Sequence, residues 1–155
     1  MASWGRRFRL PTFLYRGIMP EQDTINRARK DARQGKAPST QAGEFVREEI
    51  DHIREGKHGA RSPEQAIAIG LSKARRAGVK LRPPAKGKAS PQTRSKAQRD
   101  YAKGQSRTKT RPSAKRSRST LAALKREGHS AASRRSLSRH SKQVAKLTNL
   151  DRRNP

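Results

Sequence analysis

Positive charge is unevenly placed along this chain, and that placement limits where a core can form. Residues 81–155 hold 22 Lys and Arg against 3 Asp and Glu, a net charge of +19. Residues 21–80 are nearly balanced, with 13 basic and 9 acidic side chains, and residues 1–20 hold 4 basic and none acidic. A segment at +19 repels itself and is tolerable only beside an anionic partner. Over all 155 residues the net charge is +27 and hydrophobic residues make up only 30%, against about 45–50% in an ordinary globular domain. One large core is therefore excluded. The expected fold class is mainly α: a small helix-turn-helix-shaped unit in the balanced region, followed by a disordered basic tail with conditional helices.

Nucleic acid is the commonest partner for such a chain, because each neutralised phosphate releases counterions. A membrane surface would require an amphipathic helix with bulky apolar residues opposite its charge, and no stretch has both. There is no Cys, which excludes disulfides and thiolate metal sites. No run of 18 apolar residues occurs, so no transmembrane helix is expected. Arg6-Arg7 looks like a twin-arginine start, but Pro11, Tyr15 and Arg16 stand where an apolar stretch should follow, so an export signal is rejected. The location this implies is cytoplasmic, at the nucleoid.

Residues 1–18 differ from the rest: Trp4, Phe8, Phe13 and Tyr15 stand among arginines, and Met19-Pro20-Glu21 reads as a start. The expectation is a start-site extension; the alternative is a disordered arm whose rings stack on bases. Residues 20–34 read as a short helix with acids first and bases last, ended by Gly35. Residues 40–55 read as the best helix, capped by Ser39 or Thr40. Ala42, Phe45, Val46, Ile50 and Ile53 form its apolar stripe, with Glu44, Glu48, Glu49, Asp51 and Glu55 on an exposed side. Gly56 stops it. Residues 63–77 form another, with Ser62 as N-cap, Pro63 at N1 and Gln65 at N3. There Ile67, Leu71 and Ala74 share a face, while Ile69 points about 200° from Ile67 at 100° per residue and needs separate cover. The unit is thus assigned to 19–82.

Residues 83–112, with Pro83, Pro84, Pro91 and Pro112, read as a disordered linker. The basic tail, 113–155, carries two conditional helices, 113–127 with Leu121 and Leu124, and 133–147 with Leu137, Val144 and Leu147. A weak internal echo links the halves. Ile50-x-x-Ile53-Arg54-Glu55-Gly56, a His, then Ser62 is echoed by Leu121-x-x-Leu124-Lys125-Arg126-Glu127-Gly128-His129 and Ser133. Chance similarity between two helix-turn-helix solutions explains it equally well.

The block from Ser39 through Gly-Glu-Phe-Val-Arg-Glu-Glu-Ile-Asp-His-Ile-Arg-Glu-Gly-Lys-His-Gly-Ala-Arg to Ser62, continuing to Val79, resembles a family of small basic bacterial proteins. That family is classed as a domain of unknown function and often labelled a DNA-binding protein. The resemblance covers residues 19–82, and members typically begin near the position of Met19. It implies DNA binding and carries over no catalytic residue.

No catalytic constellation is found. The histidines are His52, His58, His129 and His140. His52 and His58, with Asp51 and Glu55 nearby, could be weighed as a metal site, but a helix-surface His and a turn His account for the spacing better. The serines lack a Ser-His-Asp frame, and Gly56 and Gly59 do not form a phosphate loop. The expected protein is therefore not an enzyme and has no metal or other cofactor. Its expected function is sequence-tolerant DNA binding through Lys73, Arg75, Arg76 and Lys80 at the end of the helix at 63–77, and Lys115, Arg116, Arg118, Lys125, Arg126, Arg134, Arg135, Arg139, Lys142 and Lys146 in the tail. Helix N-terminal amides near Ser62 could add a phosphate contact. The alternatives are RNA or ribosome-associated binding, and a protein-interaction module, with a possible homodimer through the helices at 40–77.

Overall fold

The computed structural model describes residues 20–108 and 113–153; the expectations for 1–18 lie outside this range. The chain is mainly α. Among the described residues, six α-helices follow one another: α1 (Gln22–Arg33), α2 (Pro38–Arg54), α3 (Pro63–Arg76), α4 (Pro91–Gln105), α5 (Ala114–Lys125) and α6 (Arg134–Arg153), with a 3-10 turn at Ser130–Ala132 before α6. None is long and apolar enough to cross a membrane.

The caps explain most of these boundaries. Ser62 Oγ accepts from the Gln65 amide at 3.3 Å, and Gln65 Oε1 accepts from the Arg61 amide at 2.8 Å. These are the reciprocal bonds of a capping box, with the return bond one residue earlier than usual. Ser90-Pro91 repeats the device, Ser90 Oγ accepting from the Thr93 amide at 3.2 Å. This starts α4 inside the segment read as a linker. Neither Ser39 nor Thr40 caps α2: Pro38 begins the helix and both lie in its first turn. Gly35, Gly56 and Gly78 have positive φ just beyond the ends of α1, α2 and α3, as αL stops do.

The core is small because its residues are small. One cluster joins Ala28, Ala42, Phe45, Ala74 and Val79; another joins Ile53, Ala60, Ala66, Ala131 and Ala132. Short side chains let α2 and α3 approach closely. A methyl group on Gly70 would lie 2.7 Å from Val46 Cα and 3.0 Å from the Phe45 carbonyl oxygen, both backbone atoms. The buried face of α3 is accordingly Ala66, Gly70, Lys73 and Ala74. The expected face of Ile67, Leu71 and Ala74 is thus rotated: Ile67 and Leu71 are only half-buried. Ile69, by helical spacing, lies on the side of Ser72 and Arg76, where both approach Asp100 of α4. That side of α3 is covered from within the chain.

The C-terminal helices dock on this unit. The Gly59 amide donates to the Leu124 carbonyl at 2.9 Å, and the Ala60 amide to the Gly128 carbonyl at 3.0 Å. The loop after α2 therefore meets the loop after α5, the two segments that echo each other in sequence. Ser133 also serves as a cap, accepting from the Ser136 amide at 3.2 Å. Arg54 Nε donates to the Ala132 carbonyl at 3.0 Å, and His140 Nδ1 lies 2.7 Å from Glu64 Oε1. The tail expected to be disordered without a polyanion thus has internal partners. Gly59 permits the approach: a Cβ there would overlap the Glu127 carbonyl oxygen.

Two glycine substitutions test the close crossing. Gly70→Ala should destabilise by about 1–3 kcal/mol, because overpacking against backbone outweighs the gain in helix propensity. Gly43→Ala, in α2 with nothing within 4 Å of its added methyl, should stabilise by about 0.5–1 kcal/mol. Urea unfolding of both variants measures the difference.

Candidate nucleic-acid interface and a buried polar cluster

Two groups of charged residues separate in this fold, one inside and one outside. The inner group forms because α2 carries its acids on two sides. At 100° per residue, Glu49 lies about 40° from both Phe45 and Ile53, in the middle of the apolar stripe, and His52 lies about 20° from Phe45. Glu48, Glu49 and His52 are consequently buried, Glu49 completely. The expectation that Glu48 and Glu49 cover an exposed side is corrected here. Glu44, Asp51 and Glu55 do remain partly or fully exposed.

A buried carboxylate requires a counter-charge. Lys73 of α3 supplies it, its Nζ standing 2.7 Å from Glu49 Oε2 and 3.3 Å from Glu48 Oε1. Lys73 is therefore an internal ion, not a phosphate ligand. Arg75 is also buried, its Nε donating to the Leu81 carbonyl at 3.2 Å. Burial lowers the pKa of its guanidinium, against the opposing charge of Asp100. Both residues leave the expected DNA-contacting set.

Around Glu49 stand two imidazoles. His58, in the loop before α3, places Nε2 3.2 Å from Glu49 Oε1, and its Nδ1 faces the Gly59 carbonyl at 3.2 Å. His52 places Nε2 3.1 Å from Glu21 Oε1. The two rings meet edge-on, centroids 6.0 Å apart. Burial holds the His58 pKa below its ordinary value, although Glu49 pulls it upward. Glu21 is held below the usual carboxylate range by hydrogen bonds from His52 and Lys57. Its amide also donates to Glu48 Oε2 at 3.1 Å. Glu49, His52 and His58 each offer one ligand atom, all within 4.8 Å of one another. The expectation of a helix-surface His fails for His52, which is 2% exposed; His58 lies in the turn region as expected but is buried, at 1%. The spacing Glu49-x2-His52 on one helix face was the available signal.

The outer group is the remaining cations. Arg76, Lys80, Lys115, Arg116, Arg118, Lys125, Arg126, Arg134, Arg135, Arg139, Lys142 and Lys146 are all exposed. Among the described residues, the ion pairs that involve this set reduce to Arg76 with Asp100, at 3.8 Å. An open depression at the start of α6 is lined by Arg54, His129, Ala132, Ser133 and Arg134. The first turn of α6 holds no acidic residue. The start of α3, near Ser62, holds Glu64, so of these two helix N-termini only that of α3 carries an acidic side chain beside its free amides.

No family model, curated protein or solved structure matches this chain.

Removing Lys73 should separate the two groups experimentally. Lys73→Met leaves Glu48 and Glu49 buried without their counter-charge and should destabilise by about 3–5 kcal/mol. Lys80→Ala, on the surface, should change stability by less than about 0.5 kcal/mol. Thermal unfolding followed by circular dichroism reads both.

Proposed function

We propose that this chain binds nucleic acid, duplex DNA foremost, by neutralising phosphates with little reading of base sequence. The observation that carries the proposal is the segregation of charge. The carboxylates Glu48 and Glu49 are internal and paired with Lys73, while twelve of the fourteen cations expected to contact DNA face outward. An exposed, uncompensated cationic surface gains free energy by releasing counterions from a polyanion. The depression bounded by Arg54 and Arg134 at the start of α6 suits one phosphate oxygen set, with helix amides adding to the side chains.

Duplex is favoured over single strands by what the surface of the described residues lacks. Single-strand readers stack bases on aromatic rings. Of the aromatic residues described, Phe45 belongs to the core and Tyr101 is half-buried. The resemblance of residues 19–82 to a family labelled DNA-binding points the same way. A nucleoid-associated or accessory role follows from sequence tolerance. RNA binding is the second reading and shares the same phosphate chemistry.

Salt titration tests the proposal. Unrelated duplexes of equal length should bind with similar affinity, and log K should fall linearly with log salt concentration. Replacing Arg134, Arg135 and Arg139 by Gln should reduce the magnitude of the slope by about 0.9 for each phosphate left without its cation. An affinity indifferent to salt, or a slope untouched by the triple substitution, contradicts it.

A further inference from the structure

The cluster around Glu49 brings buried lone pairs together with no hydrogen-bond donor between them. In neutral rings, the tautomers follow from the partners on the far side of each ring. Glu21 can only accept from His52, so His52 Nε2 carries the proton and Nδ1 the lone pair. The Gly59 carbonyl can only accept from His58, so His58 Nδ1 carries the proton and Nε2 the lone pair. Both lone pairs belong to buried atoms without a hydrogen-bond partner, as do both oxygens of Glu49. Lys73 approaches Glu49 Oε2, which leaves Oε1, His52 Nδ1 and His58 Nε2 without a donor. Buried polar atoms without partners are costly and uncommon in native proteins.

We propose that Glu49, His52 and His58 bind a divalent transition-metal ion of the zinc class, through Glu49 Oε1, His52 Nδ1 and His58 Nε2. The donor set of two imidazoles and a carboxylate suits zinc. Two atoms each about 2.0 Å from a tetrahedral zinc stand about 3.3 Å apart, and His58 Nε2 lies 3.2 Å from Glu49 Oε1. The outer partners match those of a metal site. A ligating imidazole commonly donates its other N–H to a carboxylate or a backbone carbonyl, and here Glu21 and the Gly59 carbonyl take those roles. Charge points the same way: Lys73 alone faces Glu48 and Glu49, one negative charge in excess, while Glu21 across His52 is already paired with Lys57. The ion fills a structural role. It joins α2 to the loop whose Gly59 and Ala60 amides hold the end of α5, and so ties the docking of the basic half to the metal.

The test uses the full chain, stripped with chelator and titrated with zinc in competition with a chromophoric chelator. One zinc per chain should bind and raise the melting temperature by several degrees. With water as fourth ligand beside the three protein atoms, cobalt should show the intense ligand-field bands of a tetrahedral site. His52→Gln and His58→Gln should each weaken zinc at least about 100-fold, while His129→Gln and His140→Gln leave it unchanged. A wild-type chain that takes up no zinc overturns the proposal, as does zinc binding that survives His52→Gln and His58→Gln. If circular dichroism shows that those two variants do not fold, the wild-type imidazole nitrogen resonances decide. Zinc should shift His52 Nδ1 and His58 Nε2; zinc that leaves both unmoved overturns the assignment.

Discussion

A single ammonium group inside the protein organises the rest. Lys73 lies on the face of α3 that carries Ala66, Gly70 and Ala74, and it meets Glu48 and Glu49 on α2. A buried charge is expensive to desolvate, and such pairs often contribute little net stability. What they do impose is register. With α2 and α3 close enough for Gly70 to touch the Val46 backbone, only one rotation and one axial position bring Lys73 between its two carboxylates. A core built largely of alanines specifies that position poorly by shape. The ion pair supplies the missing discrimination.

The same pairing accounts for the surface. A chain with 39 basic and 12 acidic residues has few carboxylates for its exterior, and here Glu48 and Glu49 are inside. Glu21 is turned toward His52 and Lys57, and Asp31 toward Lys36. The exposed cations of α5 and α6 therefore keep their full charge for an external polyanion. The proposed phosphate binding rests on this division: carboxylates satisfy internal donors, and cations are left outward.

Much of the helical framework was legible in the residues. Ser62-Pro63 and Gln65 announce the start of α3, and the Ala42, Phe45, Ile53 stripe announces α2. The start of α4 was equally written in Ser90-Pro91, but four prolines and scattered lysines made 83–112 look unstructured. A tertiary contact joins this helix to α3, Asp100 accepting from Ser72 at 2.6 Å, which no local pattern reveals. The buried cluster was half legible. Glu49 sits at the centre of the apolar stripe by periodicity, yet charge alone suggested an exposed face. The convergence of His58 with His52 depends on the turn at Gly56, whose path the spacing does not give. Of the cations, sequence could place Lys73 and Arg75 at the end of α3, but only packing shows that they point inward.

Coupling between Lys73 and the carboxylates of α2 is what holds the two helices in register. A double-mutant cycle on Lys73→Met and Glu49→Gln, measured by urea unfolding in chelating buffer, addresses it directly. The double variant should be more stable than the two single losses combined, by more than about 1 kcal/mol, as for residues in one buried network. Additivity within about 0.3–0.5 kcal/mol would show that the pair does not hold α2 against α3, and would contradict that claim.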